Sequence, residues 1–195
     1  WDVGRQTFRT AEFPEYKAQR SAAPDHFKSQ IPLIREVLDA LGIPQLQIEG
    51  YEADDLIASV SARAVEDGWD VMIVTGDRDA FQLVDEHRKV LYTRRGISDT
   101  VLADTEYVTE KYGITPAQYV DYAAMRGDNS DNLPGVPGVG EKTASKLIAS
   151  YGDLEGVFAH LDEQTPKLRQ NLAEHRDQAF LNRHLMQLVG DLPTE

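Results

Sequence analysis

The stretch Gly50-Tyr51-Glu52-Ala53-Asp54-Asp55 places three carboxylates within four residues at the start of a segment with helical period. A second acidic pair follows at Asp77 and Asp79, and a third at Asp128 and Asp131. Any fold that gathers these acids must offset their mutual repulsion, and divalent cations do so most directly. Acids in a first helical turn also offset the helix dipole, by about 0.3–1 kcal/mol each. That structural role accounts for one or two of Glu52, Asp54 and Asp55 better than for all three. Glu52 and Asp55, three apart, share a helix face and can reach one cation together.

The apolar run Val71-Met72-Ile73-Val74 has the length and continuity of a central parallel strand. Asp77 and Asp79 follow directly, at the carboxyl end where open α/β sheets bind ligands. One of the two can cap the next helix; the other then needs a different account. Helices are expected over 31–41, 53–67 and 79–84, a strand over 45–49, and a hairpin of strands 89–92 and 100–102 around Arg94-Arg95-Gly96. After residue 104 the chain reads as helical. Asp104 or Thr105 caps a helix ending at Gly113, Thr115-Pro116 opens one to Arg126, and another runs 141–150. Asp153 and Thr165-Pro166 open two more, and a last helix carries Leu181, Leu185 and Leu188. The expected class is α/β with a mostly parallel sheet, followed by a helical half.

Composition narrows the chemistry. Among 195 residues there is no cysteine, which excludes disulfides, zinc–thiolate sites and thiol catalysis and fits a cytoplasmic setting. No apolar run reaches the length of a membrane span. The formal net charge of −13 argues against a polyanionic partner if read in bulk. Cations on eight candidate ligands, Asp2, Glu52, Asp54, Asp55, Asp77, Asp79, Asp128 and Asp131, would bring −13 to −5. Oxygen-only ligands select Mg²⁺ or Mn²⁺ over zinc, and seven or eight acids suit two ions. Two ions about 4 Å apart serve phosphodiester hydrolysis, one activating water and the other stabilising the leaving oxygen.

Residues 127–140, Gly127-Asp128-Asn129-Ser130-Asp131-Asn132-Leu133-Pro134-Gly135-Val136-Pro137-Gly138-Val139-Gly140, are dense in glycine and proline. They are not an EF-hand, because the sixth position from Asp128 is Leu133 rather than glycine. They are not a Walker loop, because Glu141 separates Gly140 from Lys142. A helix–turn–helix remains, with Gly135, Gly138 and Gly140 letting backbone N–H groups approach a phosphate beside Lys142 and Thr143. Basic residues among aromatics in 1–28 suit single-stranded nucleic acid, or a solvated loop whose rings pack on the domain.

Together, Pro14-Glu15-Tyr16-Lys17-Ala18-Gln19-Arg20, Gly50–Asp55, Thr75-Gly76-Asp77-Arg78-Asp79 and Gly127–Gly135 resemble the 5′-nuclease domain of bacterial DNA polymerase I, a relative of the flap endonucleases. The resemblance implies a PIN-like fold and a Mg²⁺-dependent 5′–3′ exonuclease and flap endonuclease of the cytoplasm and nucleoid. Its partner would be flapped or nicked DNA, and it would act as a monomer joined to a polymerase in the parent protein. Asp2, Glu52, Asp54 and Asp55 then match a first metal site; Asp77, Asp79, Asp128 and Asp131 match a second. Lys17 and Arg20 match clamps on the scissile phosphate, and Tyr16 a base-stacking aromatic. Lys17, Arg20, Asp55 and Asp79 are the implied catalytic set. The turn 133–140 resembles the family's helix–three-turn–helix, with K⁺ on its carbonyls.

The implied division is a nuclease core over 1–112, with an arch over about 3–30, and a DNA-binding half over 113–195, with the turn motif in about 115–150. Trp1-Asp2 aligns near the end of the family's second strand. The expectation is therefore a sheet without the family's first strand and first ligand, with non-cleaving capture of branched DNA as the alternative activity. An RNA-cleaving toxin-type nuclease is a third reading, against which residues 115–150 speak.

Overall fold

The computed structural model describes residues 1–194. Short helices α1 (Phe8–Glu12) and α2 (Asp25–Lys28) precede α3 (Ile31–Ala40) and α4 (Ala53–Glu66). Strand β1 (Val71–Thr75) leads through a 3-10 turn (Arg78–Leu83) to β2 (Arg88–Arg95) and β3 (Asp99–Ala103). Helices α5 (Thr105–Tyr112) and α6 (Tyr119–Arg126) follow. A two-residue ribbon of β4 (Gly127–Asp128) and β5 (Leu133–Pro134) then leads to α7 (Glu141–Tyr151), α8 (Leu154–Ala159), α9 (Pro166–Glu174) and α10 (Arg176–Met186).

Local signals set most boundaries. The Asp104 carboxylate accepts the Tyr107 amide, and Gly113 stops α5 at φ 70°. Asp153 caps α8 by accepting the Gly156 amide at 2.7 Å. Thr115 and Gln118 form a capping box ahead of α6. The hairpin forms as expected, with β2 antiparallel to β3 from Val90–Ala103 to Arg95–Asp99.

Two expectations are corrected, and a third element forms as expected but unburied. The sheet order is β1-β2-β3 with one parallel and one antiparallel pairing, so β1 is a terminal strand of a mixed sheet rather than a central one. Its burial alternates, with Ile73 buried and Met72 and Val74 more than half exposed. Residues 45–49 form no strand; beside them only an isolated bridge joins Thr7 and Gly50. Helix α3 forms, but Leu33, Ile34 and Val37 on its apolar stripe are exposed.

The core lies where sheet and helical half meet. Phe81, fully buried in the 3-10 turn, makes edge contacts with Tyr92 and Tyr119 at centroid distances of 5.3 and 5.6 Å. Tyr112 and Tyr122 complete the aromatic cluster around Tyr119. Such pairs add about 0.5–1.5 kcal/mol each beyond area burial. This cluster fixes the turn that carries Asp77 and Asp79 against α6, which leads to Asp128. Phe81→Ala is expected to cost about 3–5 kcal/mol, read as a lower urea midpoint, whereas Ile97→Ala, at a fully solvated hairpin tip, should stay within about 0.5 kcal/mol.

Candidate active site

Four segments converge on one face of the molecule. Asp2 lies at the amino end of α4, where its Oδ1 accepts the Ala53 amide at 2.7 Å. Asp54 projects from the first turn of α4, and desolvation together with repulsion from Asp77, Glu52 and Asp2 raises its pKa to about 6. Asp77 caps the 3-10 turn, accepting the Asp79 amide at 2.9 Å. That leaves Asp79 as the acid without a capping task. Burial, then Asp77, Asp131 and Asp128, push it up to about 8, with Arg126 opposing. Asp77, Asp79 and Asp128 line a cavity of about 460 Å³ together with Arg78, Arg126 and Glu141. The acids far apart in sequence are neighbours in space.

The turn after α1 closes the site from the other side. Tyr16 is buried, and its hydroxyl sits 2.9 Å from an Asp131 oxygen and 3.2 Å from a Glu52 oxygen. The Lys17 ammonium donates to both Glu52 oxygens at 2.8 and 2.9 Å and lies 3.6 Å from Asp131. Arg20 donates to Asp131 Oδ1 at 2.6 Å and to the Ser130 carbonyl. Lys17 (φ 54°) and Asn132 (φ 60°) are the two non-glycine residues with positive φ among the described residues. They face each other across this junction: the Lys17 amide donates to the Asp131 carbonyl, and the Asn132 side chain to the Glu15 carbonyl. Left-handed backbone at a non-glycine residue persists only where surrounding contacts enforce it. Here two segments of the chain enforce it on each other.

Two expected roles change. Asp55 does not face the acidic cavity. It is fully buried, and its four acceptor positions are taken: Arg9 Nη1 at 2.6 Å and Nη2 at 2.7 Å, the Glu52 amide, and the Val189 amide. A carboxylate offers about four lone-pair sites, so none is left for an ion. Burial alone would raise its pKa; Arg9 and the two amides outweigh that and hold it below the ordinary value. Glu52 and Asp55 do share a cation, and it is the Arg9 guanidinium, 3.7 Å from Glu52. Tyr16, expected to stack on bases, is instead packed inward with its hydroxyl on the carboxylates.

Sequence reading passed over Arg9. A signal existed: Asp55 falls on the same α4 face as Ala58 and Ser59, and a carboxylate facing a core needs a buried cation. Which arginine would answer was not legible. Arg126, half-buried against Tyr122, was passed over too.

The turn motif is built as expected between α6 and α7, but its glycines differ in role. A Cβ on Gly135 would stand 2.0 Å from the Arg126 carbonyl oxygen, so this glycine permits two segments of the chain to cross. Gly138 has φ 80°, next to the Pro137 carbonyl that Asn171 holds at 2.7 Å. Gly140 is open on its side-chain face and precedes α7, where Lys142 is exposed and Thr143 half-buried.

Among the described residues no three acidic or histidine side chains stand close enough to enclose one ion as they are arranged. The donor set nevertheless suits hard divalent cations. It is all oxygen, it carries excess charge, and burial together with repulsion from neighbouring acids raises the pKa of two of its members.

Residues 1–113 match the 5′-3′ exonuclease N-terminal resolvase-like domain, and 114–195 match the 5′-3′ exonuclease C-terminal SAM fold. DNA polymerase I of Mycobacterium tuberculosis H37Rv is 52% identical over 193 residues, which is 99% of this chain and 21% of that protein. DNA polymerase I of Bacillus caldotenax is 45% identical over 196 residues, all of this chain and 22% of that protein. The chain thus spans about a fifth of these relatives. Among solved structures, T5 5′-exonuclease with bound zinc superposes with a TM-score of 0.80 at 24% identity, covering 96% of this chain and 72% of that one. The catalytic core of Rad2 in complex with DNA substrate gives 0.63 at 18%, covering 98% and 66%.

Removing either partner of the Arg9–Asp55 pair strands the other charge in the interior. Arg9→Met and Asp55→Leu should each cost about 3–5 kcal/mol, and the double variant far less than their sum, in urea denaturation. The raised pKa values give a second outcome. The folded chain binds protons at Asp54 and Asp79 that the unfolded chain releases, so without divalent cations stability falls as pH rises from about 4 to about 8. MgCl₂ should therefore raise the melting temperature more near pH 8 than near pH 5.

Proposed function

The chain belongs to the 5′-3′ exonuclease family, and from that premise we propose that it hydrolyses DNA phosphodiesters near a 5′ end or flap with the help of divalent cations. The observation that carries the reading is the junction of Tyr16, Lys17 and Arg20 with Glu52 and Asp131. It sets phosphate-binding cations directly on the rim of a carboxylate cluster.

Glu52, Asp54, Asp77, Asp79, Asp128 and Asp131, with Asp2 beside them, would hold Mg²⁺ or Mn²⁺. When bound, such ions supply charge stabilisation for attacking and leaving oxygens. The chain's own part is binding and orientation. Lys17 and Arg20 exchange carboxylate partners for the oxygens of the scissile phosphate. Tyr16, buried and hydrogen-bonded, fixes the turn that carries both. Asp55 serves as the anchor of α4 through Arg9 rather than as a ligand. We place the nuclease core in 1–112 and the duplex-gripping half in 113–195, where the amino end of α7 with Gly140, Lys142 and Thr143 receives a backbone phosphate. The finer part of the proposal is a K⁺ ion on the turn carbonyls. It would share oxygens of Pro134, Val136 and Pro137 that each already accept one hydrogen bond.

A second reading, capture of branched DNA without cleavage, draws support from the same junction, because Lys17, Arg20 and Tyr16 occupy oxygens of Glu52 and Asp131. The two readings separate in one experiment. With a 5′-labelled flap and MgCl₂, the chain should release short products, and Asp79→Asn should lower the rate by more than about 100-fold, with binding in EDTA retained. Binding without cleavage by the unsubstituted chain would select the second reading, and an unchanged rate in Asp79→Asn would remove Asp79 from the site.

A further inference from the structure

Behind Arg78, away from the carboxylates, lies a second cavity of about 450 Å³. It opens between the 3-10 turn, the end of α5 and the first turns of α7, and is lined by Arg78, Lys111, Tyr112, Glu141, Lys142 and Ser145. Arg78 and Glu141 line this cavity and the acidic one alike, so the two are continuous along one path. Three of the lining side chains are cations, and they come from three separate elements. Lys111 donates to the neutral Tyr107 hydroxyl at 2.7 Å, which leaves its charge uncancelled there. Arg78 meets the one carboxylate, Glu141, only at 4.0 Å. Gly140 heads the 11-residue α7 with no side chain to accept its first amides.

The independent observation is Tyr112. Its ring is fixed in the aromatic cluster against Phe81 and Tyr119, the residue is 7% exposed, and its hydroxyl has no hydrogen-bond partner. Buried hydroxyls are nearly always satisfied, and this one, close to Arg78 and Lys111 in the cavity wall, has an unused donor for an acceptor from outside the chain. Burial, against the pull of Arg78, pushes this phenol up to about 12, so it remains a donor at neutral pH. Donors and positive charge with a single weakly held carboxylate make a site for an anion with several oxygens, and a phosphodiester fits that description.

We propose that this cavity binds a DNA backbone phosphate near the one that is cut, with Arg78, Lys111 and Lys142 supplying charge and the Tyr112 hydroxyl a neutral hydrogen bond. The proposal rests on the nucleic-acid reading above and adds Lys111, Tyr112 and Arg78 to the residues assigned to the substrate. It would thread the backbone from the carboxylate cavity, past Arg78, to the amino end of α7.

The test is fluorescence anisotropy of a labelled 5′-flap DNA with this chain in EDTA, where cleavage does not enter, repeated over a range of KCl. Lys111→Gln should weaken binding about 3- to 10-fold and reduce the slope of log affinity against log salt by about 1. Tyr112→Phe should weaken binding about 2- to 10-fold with the slope unchanged, because it removes a hydrogen bond and no charge. Its melting temperature without DNA should equal or exceed that of the unsubstituted chain, since the lost hydroxyl has no partner to lose. If the unsubstituted chain binds DNA and both variants bind equally well with the same slope, the proposal falls and the nuclease reading stands. If the unsubstituted chain binds no DNA, both fall. A parallel melt in inorganic phosphate separates the sources of the anion. Stabilisation of the unsubstituted chain but not of Tyr112→Phe, with DNA affinity equal in the two, would assign the cavity to free phosphate and overturn the DNA assignment.

Discussion

The buried pair of Arg9 and Asp55 is the constraint from which the rest of the site takes its shape. Arg9 joins three segments that are remote in sequence. Its guanidinium grips Asp55 at the head of α4 with two nitrogens, and it donates to the carbonyls of Leu185, in the last turn of α10, and Gln187, just after it. Asp55 answers by accepting the Val189 amide. A guanidinium fork matched to a carboxylate is directional as well as strong, so the pair fixes angles between segments and not merely their proximity. Desolvating two charges is costly, and full hydrogen bonding on both sides is what makes the arrangement tolerable. The turn that follows α1 lies on the carboxylates of Glu52 and Asp131.

Charge is then sorted by environment. Chemically similar carboxylates within one small region end in opposite states. Asp55, saturated with donors, ionises more readily than a free aspartate. Asp79, half-buried among other acids, resists ionisation. Burial weighs against ionisation in both; the donors around Asp55 outweigh it, whereas the acids around Asp79 add to it. The same sorting governs how a net charge of −13 is distributed. Asp77, Asp79 and Asp128 line one cavity, while Arg78, Lys111 and Lys142 gather on an adjoining face. Bulk charge reports solubility and long-range repulsion; binding depends on where the charges sit.

Much of the secondary structure was legible because its signals are local. Asp104 and Gly113 bracket α5, Asp153 heads α8, and the hairpin strands flank the turn that begins at Gly96, all within a few residues of what they determine. The failures share one cause. Residues 45–49 read as a strand, but a strand exists only if another strand supplies hydrogen bonds, and none lies alongside. The run Val71–Val74 read as central from its apolarity, while its place at the end of the sheet depends on which strands surround it.

The candidate site divides along the same line. The sequence by itself determined the inventory of oxygen ligands, the lack of sulfur ligands, the acids at the head of α4 and after β1, and the glycine-rich turn ahead of α7. Those follow from residue type and short-range spacing. Only the tertiary structure decided that Asp55 is an anchor, that Arg9 holds it, that Tyr16 points inward and that Gly135 serves a chain crossing. Each of these depends on a partner dozens of residues away. A carboxylate's role is set by whichever donors the fold delivers to its oxygens, and no spacing along the chain records that delivery.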